Sequence, residues 1–174
     1  LTTAQVKALG TSQIVSLTSE QLNTMSSDDL QTLSTTQVAS LKTAQISTLS
    51  TDQLALMTSK QIQAMTTSQV ITLTSEQLNG LASDNLQALT TAQVRALVTA
   101  QVSNISTDQI ALLTTKQVQA LSNNQVASLT SDQLNSMESD DIVAFTTAQI
   151  RALTTAQLTD LSSTQTSVME TRDI

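Results

Sequence analysis

The octapeptide LTTAQVRA occupies residues 89–96, and the related octapeptide LVTAQVSN follows it directly at residues 97–104. Outward from this pair, the same pattern recurs every eight residues in both directions without a slip in register. Twenty-one complete octads and a final METRDI account for all 174 residues. We interpret residues 1–174 as a single repeat array, and we expect it to be a fragment of a longer protein.

Each position of the octad accepts a narrow set of side chains. Position 1 is always apolar, position 3 is almost always Thr or Ser, and position 6 is Val, Ile or Leu except at Thr166. Position 5 is Gln in all but four octads, where the residues are Asp29, Asn85, Asp141 and Asp173. Positions 1 and 6 are therefore the predicted core.

The spacing of the two apolar columns excludes both a flat strand and one long helix. The columns lie five residues apart and then three, so side chains alternating along a strand would point to opposite faces. In a continuous α-helix eight residues advance by about 800°, which would turn the apolar stripe by about 80° per octad. The chain must therefore change direction once in every octad.

A helix-start signal recurs at the beginning of each octad. With position 2 as the N-cap, the Gln of position 5 falls at N3 and completes a capping box, as for Thr18 and Gln21. Position 3 is the alternative N-cap, because position 2 lacks Ser or Thr at Gly10, Lys42, Ala82, Val98, Glu138 and Glu170. We favour position 2. Either cap predicts one helix of about five or six residues per octad, which is too short to be stable alone. The sequence therefore predicts an all-α solenoid in which neighbouring octads bury positions 1 and 6 together.

A longer period is superimposed on the octads. TSEQLNTMSSDDLQTL begins at Thr18, TSEQLNGLASDNLQAL at Thr74 and TSDQLNSMESDDIVAF at Thr130, so each begins seven octads after the one before. One interpretation is that seven octads complete a superhelical turn at about 51° per octad. The other is a duplication of a seven-octad segment without geometric meaning. Under either, the odd number of octads disfavours a paired-helix hairpin as the unit.

The composition excludes several classes of function. The chain has no His or Cys, which removes the commonest general base, the thiolate nucleophile and the usual zinc ligands. Its net charge of −7, its single Phe and the absence of a basic stripe argue against nucleic-acid binding. No apolar run approaches the length of a membrane span. We expect neither an enzyme nor a cofactor.

Acidic residues recur at the seven-octad period and are the sharpest candidates for a site. If seven octads formed one turn, these carboxylates would stack into a column able to bind a hard cation such as calcium. No calcium-loop motif accompanies them, so a solvated stripe is the favoured interpretation, and we assign no catalytic, cofactor or metal site. The column comprises Asp28, Asp29, Asp84, Asp140 and Asp141, with Glu20, Glu76 and Asp132 beside it.

The strings LTTAQV at residues 1–6, LTSEQL at 17–22 and METRDI at 169–174 resemble the LTTAQ-type octapeptide arrays of very large bacterial secreted or cell-surface proteins. The resemblance implies a bacterial, extracellular or cell-surface setting. We expect a structural repeat module that serves as a stalk, spacer or scaffold. The alternative is a binding module whose repetitive Thr/Gln or acidic face engages a glycan, a cation or a partner protein, or which self-associates.

Overall fold

In the computed structural model of the chain, residues 2–170 are described, and every regular element in that range is a short α-helix. The chain divides into two compact units, Leu1–Ala96 and Leu97–Ile174. The first unit contains α1 (Thr3–Ala8), α2 (Thr11–Ile14), α3 (Ser19–Asn23), α4 (Ser27–Thr32), α5 (Thr35–Ser40), α6 (Thr43–Ser47), α7 (Thr51–Ala55), α8 (Ser59–Ala64), α9 (Thr67–Val70), α10 (Ser75–Asn79), α11 (Ser83–Ala88) and α12 (Thr91–Ala96). The second contains α13 (Thr99–Ser103), α14 (Thr107–Ile110), α15 (Thr115–Ala120), α16 (Asn123–Ser128), α17 (Ser131–Ser136), α18 (Ser139–Ala144), α19 (Thr147–Ala152), α20 (Thr155–Asp160) and α21 (Ser163–Glu170). The prediction of one helix per octad is confirmed.

Each helix starts at position 3, with position 2 as its N-cap. At α3 the hydroxyl of Thr18 accepts the Gln21 backbone N–H at 3.1 Å, and the Thr18 N–H donates to Gln21 Oε1 at 2.9 Å. Where position 2 has no hydroxyl, the glutamine half of this capping box can remain. Lys42 and Val98 still donate their backbone N–H to a Gln Oε1, at 2.8 and 2.9 Å. Position 2 therefore tolerates residues without a hydroxyl, because the Gln of position 5 still caps the backbone.

The chain leaves α1 through extended residues rather than through a left-handed glycine. The Leu9 N–H donates to the Val6 carbonyl at 3.2 Å, and Leu9 itself has φ −64° and ψ 131°. The next residue, Gly10, is also extended, with φ −73° and ψ 163°. No residue in the described range has a positive φ. Extended residues are thus enough to redirect the chain, and no corner in the described range requires a left-handed residue.

Successive turns of the solenoid are about 28 residues apart, since the side-chain hydrogen bonds between them join residues 25 to 31 apart. Within each unit, helices three apart in sequence pack together, as do α1 and α4, α5 and α8, and α16 and α19. The hydrogen bonds between these layers join residues 28 and 31 apart, as from Gln37 to Leu9 and Val6. One turn therefore contains between three and four octads, and a spacing of 28 residues corresponds to 28/8 = 3.5 octads, or roughly 100° per octad.

The expectation of seven octads in one turn, at about 51° each, is therefore wrong. Because 28 is not a multiple of eight, octads in neighbouring turns are offset by half a repeat, and position 5 lies over position 1 of the turn before. At about 3.5 octads per turn, seven octads make about two turns. The longer sequence period is therefore close to a whole number of turns, with twice the number of turns that we predicted.

Positions 1 and 6 form the core, as predicted. In α11, Leu86 at position 6 is 1% exposed, and Leu89 at position 1 of the next octad is 3% exposed. Burying each such side chain stabilises the fold by about 1.5–3 kcal/mol, which a helix this short could not gain alone. Position 6 is covered by the following turn, because near the C-terminal end Leu158 becomes 46% exposed. Thr166, the one polar residue at position 6, lies in this uncovered layer and is exposed.

None of the helices between residues 2 and 170 has the length and apolarity that a membrane crossing requires.

Candidate functional site

The glutamine of position 5 is the most uniform polar residue of the array, and the structure buries it between two turns. Gln37 is 5% exposed. Its Oε1 accepts the backbone N–H of Ser34, the N-cap of its own helix, at 2.7 Å. Its Nε2 donates to the carbonyls of Val6 and Leu9, one turn earlier, at 3.1 and 2.7 Å. We call this arrangement the glutamine clamp: one amide that joins the start of its own helix to the end of a helix in the preceding turn.

The clamp recurs through both units with the same atoms and spacings. Its acceptors are the carbonyls of position 6 and position 1, at the end of the earlier helix, where C=O groups have few partners of their own. The position 6 carbonyl also accepts the backbone N–H three residues later, as Val6 does from Leu9. A glycine C-cap usually satisfies such groups, whereas here a side chain from the next turn does so. The complete set of bonds is made by Gln37, Gln45, Gln61, Gln69, Gln77, Gln93, Gln133, Gln149 and Gln157.

Asparagine at position 7 modifies the clamp of the following turn. Asn23 Oδ1 accepts the Ser50 N–H at 2.8 Å, and its Nδ2 donates to the Thr48 carbonyl at 2.8 Å. The Oε1 of Gln53 therefore loses its usual donor, and it is buried without a hydrogen-bond partner. Its Nε2 still donates to the carbonyls of Asn23 and Met25, at 2.8 and 3.0 Å. Asn135 forms the same specialised corner in the second unit, at a whole multiple of seven octads from Asn23.

Asn85 replaces the clamp by a shorter connection. Its Nδ2 donates to the Met57 carbonyl at 2.7 Å, and its Oδ1 accepts the hydroxyl of Ser59 at 3.1 Å. The side chain is one methylene shorter than Gln, and its helix has no capping box with the N-cap, Ala82. A hydroxyl at position 3 of the preceding turn has taken over the role of the N-cap N–H.

Asp141 occupies the same position with a carboxyl group. It is 6% exposed and hydrogen-bonds to Thr115, which precedes it by the same interval as Ser59 precedes Asn85. Burial raises the pKa of Asp141, and the nearby Glu138 and Asp140 raise it further, against the hydrogen bond from Thr115, which lowers it. An ionised carboxylate has no hydrogen to donate to the carbonyls at the end of α14, which a Gln would reach. Asp141 is therefore an imperfect substitute for the clamp.

The predicted acidic column is not gathered into one site. Asp28 and Asp84 are exposed, and their separation of seven octads places them two turns apart rather than in adjacent layers. Asp140 is exposed, Asp29 is half-buried, and Asp141 is buried at a clamp position. Within residues 2–170 no three Asp or Glu side chains are grouped in a way that could hold a metal ion.

The sequence order that carries the clamp also identifies the family. The string that runs from position 8 through positions 1–5 contains the core leucine, the N-cap and the clamp glutamine. A family model described as the ALTTAQ repeat matches residues 1–27, 24–59, 79–115 and 134–171, which together are most of the chain. The chain belongs to the ALTTAQ repeat family. The ALTTAQ string thus covers the corner between two octads and the start of the next helix. No curated protein and no solved structure matches the chain.

The sequence predicted the bond that the Gln forms within its own octad, but not the bonds that it forms to the preceding turn. The capping role of Gln was predicted from its spacing to position 2, and its Oε1 has that role. The role of Nε2 could not be predicted, because its acceptors lie 28 and 31 residues away. The uniformity of the column was the available signal: a polar residue kept through nearly every octad beside the apolar position 6 is typical of an internal hydrogen-bonding role.

Replacing one central clamp tests its two-sided role. We expect Gln93→Ala to lower the free energy of unfolding by about 2–4 kcal/mol, because it leaves the Thr90 N–H and the Met65 carbonyl without their buried partner and removes one of the two donors to the Ile62 carbonyl. The matched control is Gln13→Ala, since Gln13 is exposed and bonds to its own N-cap, Gly10. That control should cost about 0.5–1 kcal/mol. Denaturant unfolding monitored by circular dichroism measures both, and equal costs would contradict the clamp.

Restoring the consensus amide at Asp141 should stabilise the chain. We expect Asp141→Gln to raise the free energy of unfolding by about 1–2 kcal/mol at neutral pH, because Gln can donate to the corner that a carboxylate cannot serve. Thermal or denaturant unfolding measures the difference. The matched control is Asp29→Gln, because Asp29 is only half-buried and its helix, α4, packs against α1 at the start of the array. That control should change stability little.

The same pair of variants gives a pH test. The raised pKa of Asp141 means that the folded state binds its proton more tightly than the unfolded state does. Its contribution to stability is therefore fully present below the unfolded pKa and is lost as pH rises through the folded pKa. The advantage of Asp141→Gln over the unsubstituted chain should grow over that rise. A constant advantage from acid to neutral pH would show that Asp141 does not titrate in this way.

Proposed function

We propose that this chain is a structural repeat module, a spacer or scaffold within a larger bacterial surface or secreted protein. The observation that carries the proposal is the use of the glutamine column. The Gln of position 5, the polar residue repeated most uniformly in the array, forms clamps between turns, whereas the columns at positions 4 and 7 vary from octad to octad. A spacer needs uniform contacts inside and tolerates varied polar residues outside.

The clamp suits a module whose length is set by repeat number. Each turn presents to the next the same carbonyl acceptors that it received, so an added octad requires no new type of contact. Such an array can therefore lengthen by whole octads while each new layer makes the same type of contact. This property supports a role in setting distance.

The alternative of a binding module required the repeated Gln side chains to form an exposed surface, and they do not. Beyond the first turn, the Gln side chains of position 5 are buried, with exposures of 1–9%, and cannot form an outward Thr/Gln array. Exposed Thr and Ser at position 3 remain as the regular polar surface of the array. Among the described residues, no group of acidic side chains could hold a metal ion beside them.

The extracellular or cell-surface setting is part of the proposal and rests on the resemblance to bacterial surface arrays. Antibodies raised against the polar exterior of the array should label intact cells of the source organism. Labelling that requires permeabilised cells would contradict this part of the proposal without affecting the spacer role.

Adding two turns should lengthen the spacer by a fixed step. Fluorophores attached at Ser12→Cys and Ala92→Cys, both exposed and in the first unit of a chain without other cysteines, report the distance. Inserting a second copy of residues 33–88 after Ala88 adds seven octads and preserves both the octad and the turn register. Single-molecule energy transfer should fall to one narrow, lower value. A Gly/Ser insert of equal length is the control and should give a broad distribution. A broad distribution of transfer efficiency for the octad insert would contradict the spacer role.

A further inference from the structure

The charged side chains of the array are separated onto two sides of the turn. In the first unit the basic residues are all exposed, and they are Lys7, Lys42, Lys60 and Arg95. With about 28 residues in a turn, subtraction of whole turns puts them, in chain order, at places 7, 14, 4 and 11 of the turn. Each successive turn of this unit therefore carries one cation, always between places 4 and 14. We call these four residues the basic side.

The acidic residues of the same unit lie on the other side of the turn. All are exposed except the half-buried Asp29, and they are Glu20, Asp28, Asp29, Asp52, Glu76 and Asp84. In chain order they fall at places 20, 28, 1, 24, 20 and 28 on the same count, so none lies between places 4 and 14. The middle of their range is about half a turn from the middle of the basic side. We call these six residues the acidic side.

The second unit, taken by itself, repeats this separation. Its described cations, Lys116 and Arg151, are exposed and fall at places 4 and 11 on the same count. Its exposed carboxylates all fall at places 20 to 28, and they are Asp108, Asp132, Glu138, Asp140 and Asp160. The separation of charge is therefore a property of the turn, which recurs throughout the array, rather than of one segment of the chain.

Solubility alone does not account for the separation. A surface that only keeps a protein in solution carries charges of both signs interspersed. Grouping like charges on one side increases their mutual repulsion, and charges on opposite sides of the turn are too far apart to neutralise each other. A partner that brings the opposite charge to either side relieves this repulsion.

A second copy of the chain fits both sides. The basic side and the acidic side repeat with the same turn, so the cations of one copy and the carboxylates of a neighbouring copy have the same spacing along the array. Any other partner would have to match this spacing separately. A single exposed ion pair contributes little to association, but a row of pairs adds from turn to turn.

We propose that copies of this chain associate side by side, with the basic side of one copy against the acidic side of its neighbour. Because the two sides are different surfaces about half a turn apart, every copy at the edge keeps one side free, and the association is open-ended. The net charge of −7 opposes the approach of two copies, so the match between the two sides, rather than the total charge, holds them together. Lateral assembly is a role beyond that of a spacer.

The test exchanges charges between the two sides without changing the net charge. The exchange variant combines Lys42→Glu and Lys60→Glu with Asp52→Lys and Glu76→Lys, all at exposed side chains. Its matched control combines Lys42→Arg and Lys60→Arg with Asp52→Glu and Glu76→Asp, which leave every charge on its own side. Far-UV circular dichroism should show the same helical spectrum for both variants and the unsubstituted chain.

Sedimentation velocity of the full chain at about 20 mM NaCl, where exposed charges are little screened, measures the association. The unsubstituted chain and the control should form species whose size grows with concentration. The exchange variant should need at least about a tenfold higher concentration to associate. Raising NaCl to about 0.5 M should return the unsubstituted chain to the monomer, because exposed charges are then screened, and this readout needs no variant.

Three results would overturn the proposal. The first is an unsubstituted chain that stays monomeric at about 1 mM in low salt, a concentration at which even a weak association is visible. The second is an exchange variant that associates as the control does, and the third is an association that persists at about 0.5 M NaCl. None of these results would affect the spacer role, which concerns length along the array rather than contact between copies.

Discussion

The glutamine clamp is the interaction on which the rest of the structure depends. A helix of about one and a half turns leaves most of its backbone N–H and C=O groups without partners inside the helix. Here both ends are served by one side chain, which bonds to the N-cap of its own octad and to the carbonyls that end a helix in the preceding turn. Removing those polar groups from water would otherwise cost more than so short a helix could recover.

The reach of the clamp also sets the geometry of the turn. Gln Nε2 finds its acceptors 28 and 31 residues earlier, so position 5 must lie over the corner between two octads. Neighbouring layers are therefore offset by half an octad. As a result, the corner between two octads in one turn is covered by the middle of an octad in the next turn. A repeat of seven octads is the shortest one that returns to the same octad position after whole turns. This is why specialised corners, such as those of Asn23 and Asn135, can recur at multiples of seven octads without conflict between layers.

The exceptions to the consensus follow from their layer. Gly10 is tolerated as an N-cap because Gln13 still accepts its N–H. Asn85 survives at a clamp position because Ser59 supplies a hydroxyl from the preceding turn. Asp141 receives the same hydroxyl contact from Thr115 but has no donor to offer in return unless it is protonated. The effect of a polar residue on the stability of this array is thus determined by its contacts with the neighbouring turns, rather than by its own octad.

The sequence by itself determined everything that acts within one octad. The odd spacing of the apolar columns required a change of direction, the Thr and Gln of positions 2 and 5 located the start of each helix, and positions 1 and 6 were identified as core. These contacts join residues at most a few positions apart, so the linear pattern contains them. Only the tertiary structure decided how many octads complete a turn and which carbonyls the Gln amides reach. The rotation per octad depends on small differences in φ and ψ at the extended residues of each corner and on contacts 28 residues away. A periodic sequence carries no mark that distinguishes one such partner from the equivalent residue in the next octad.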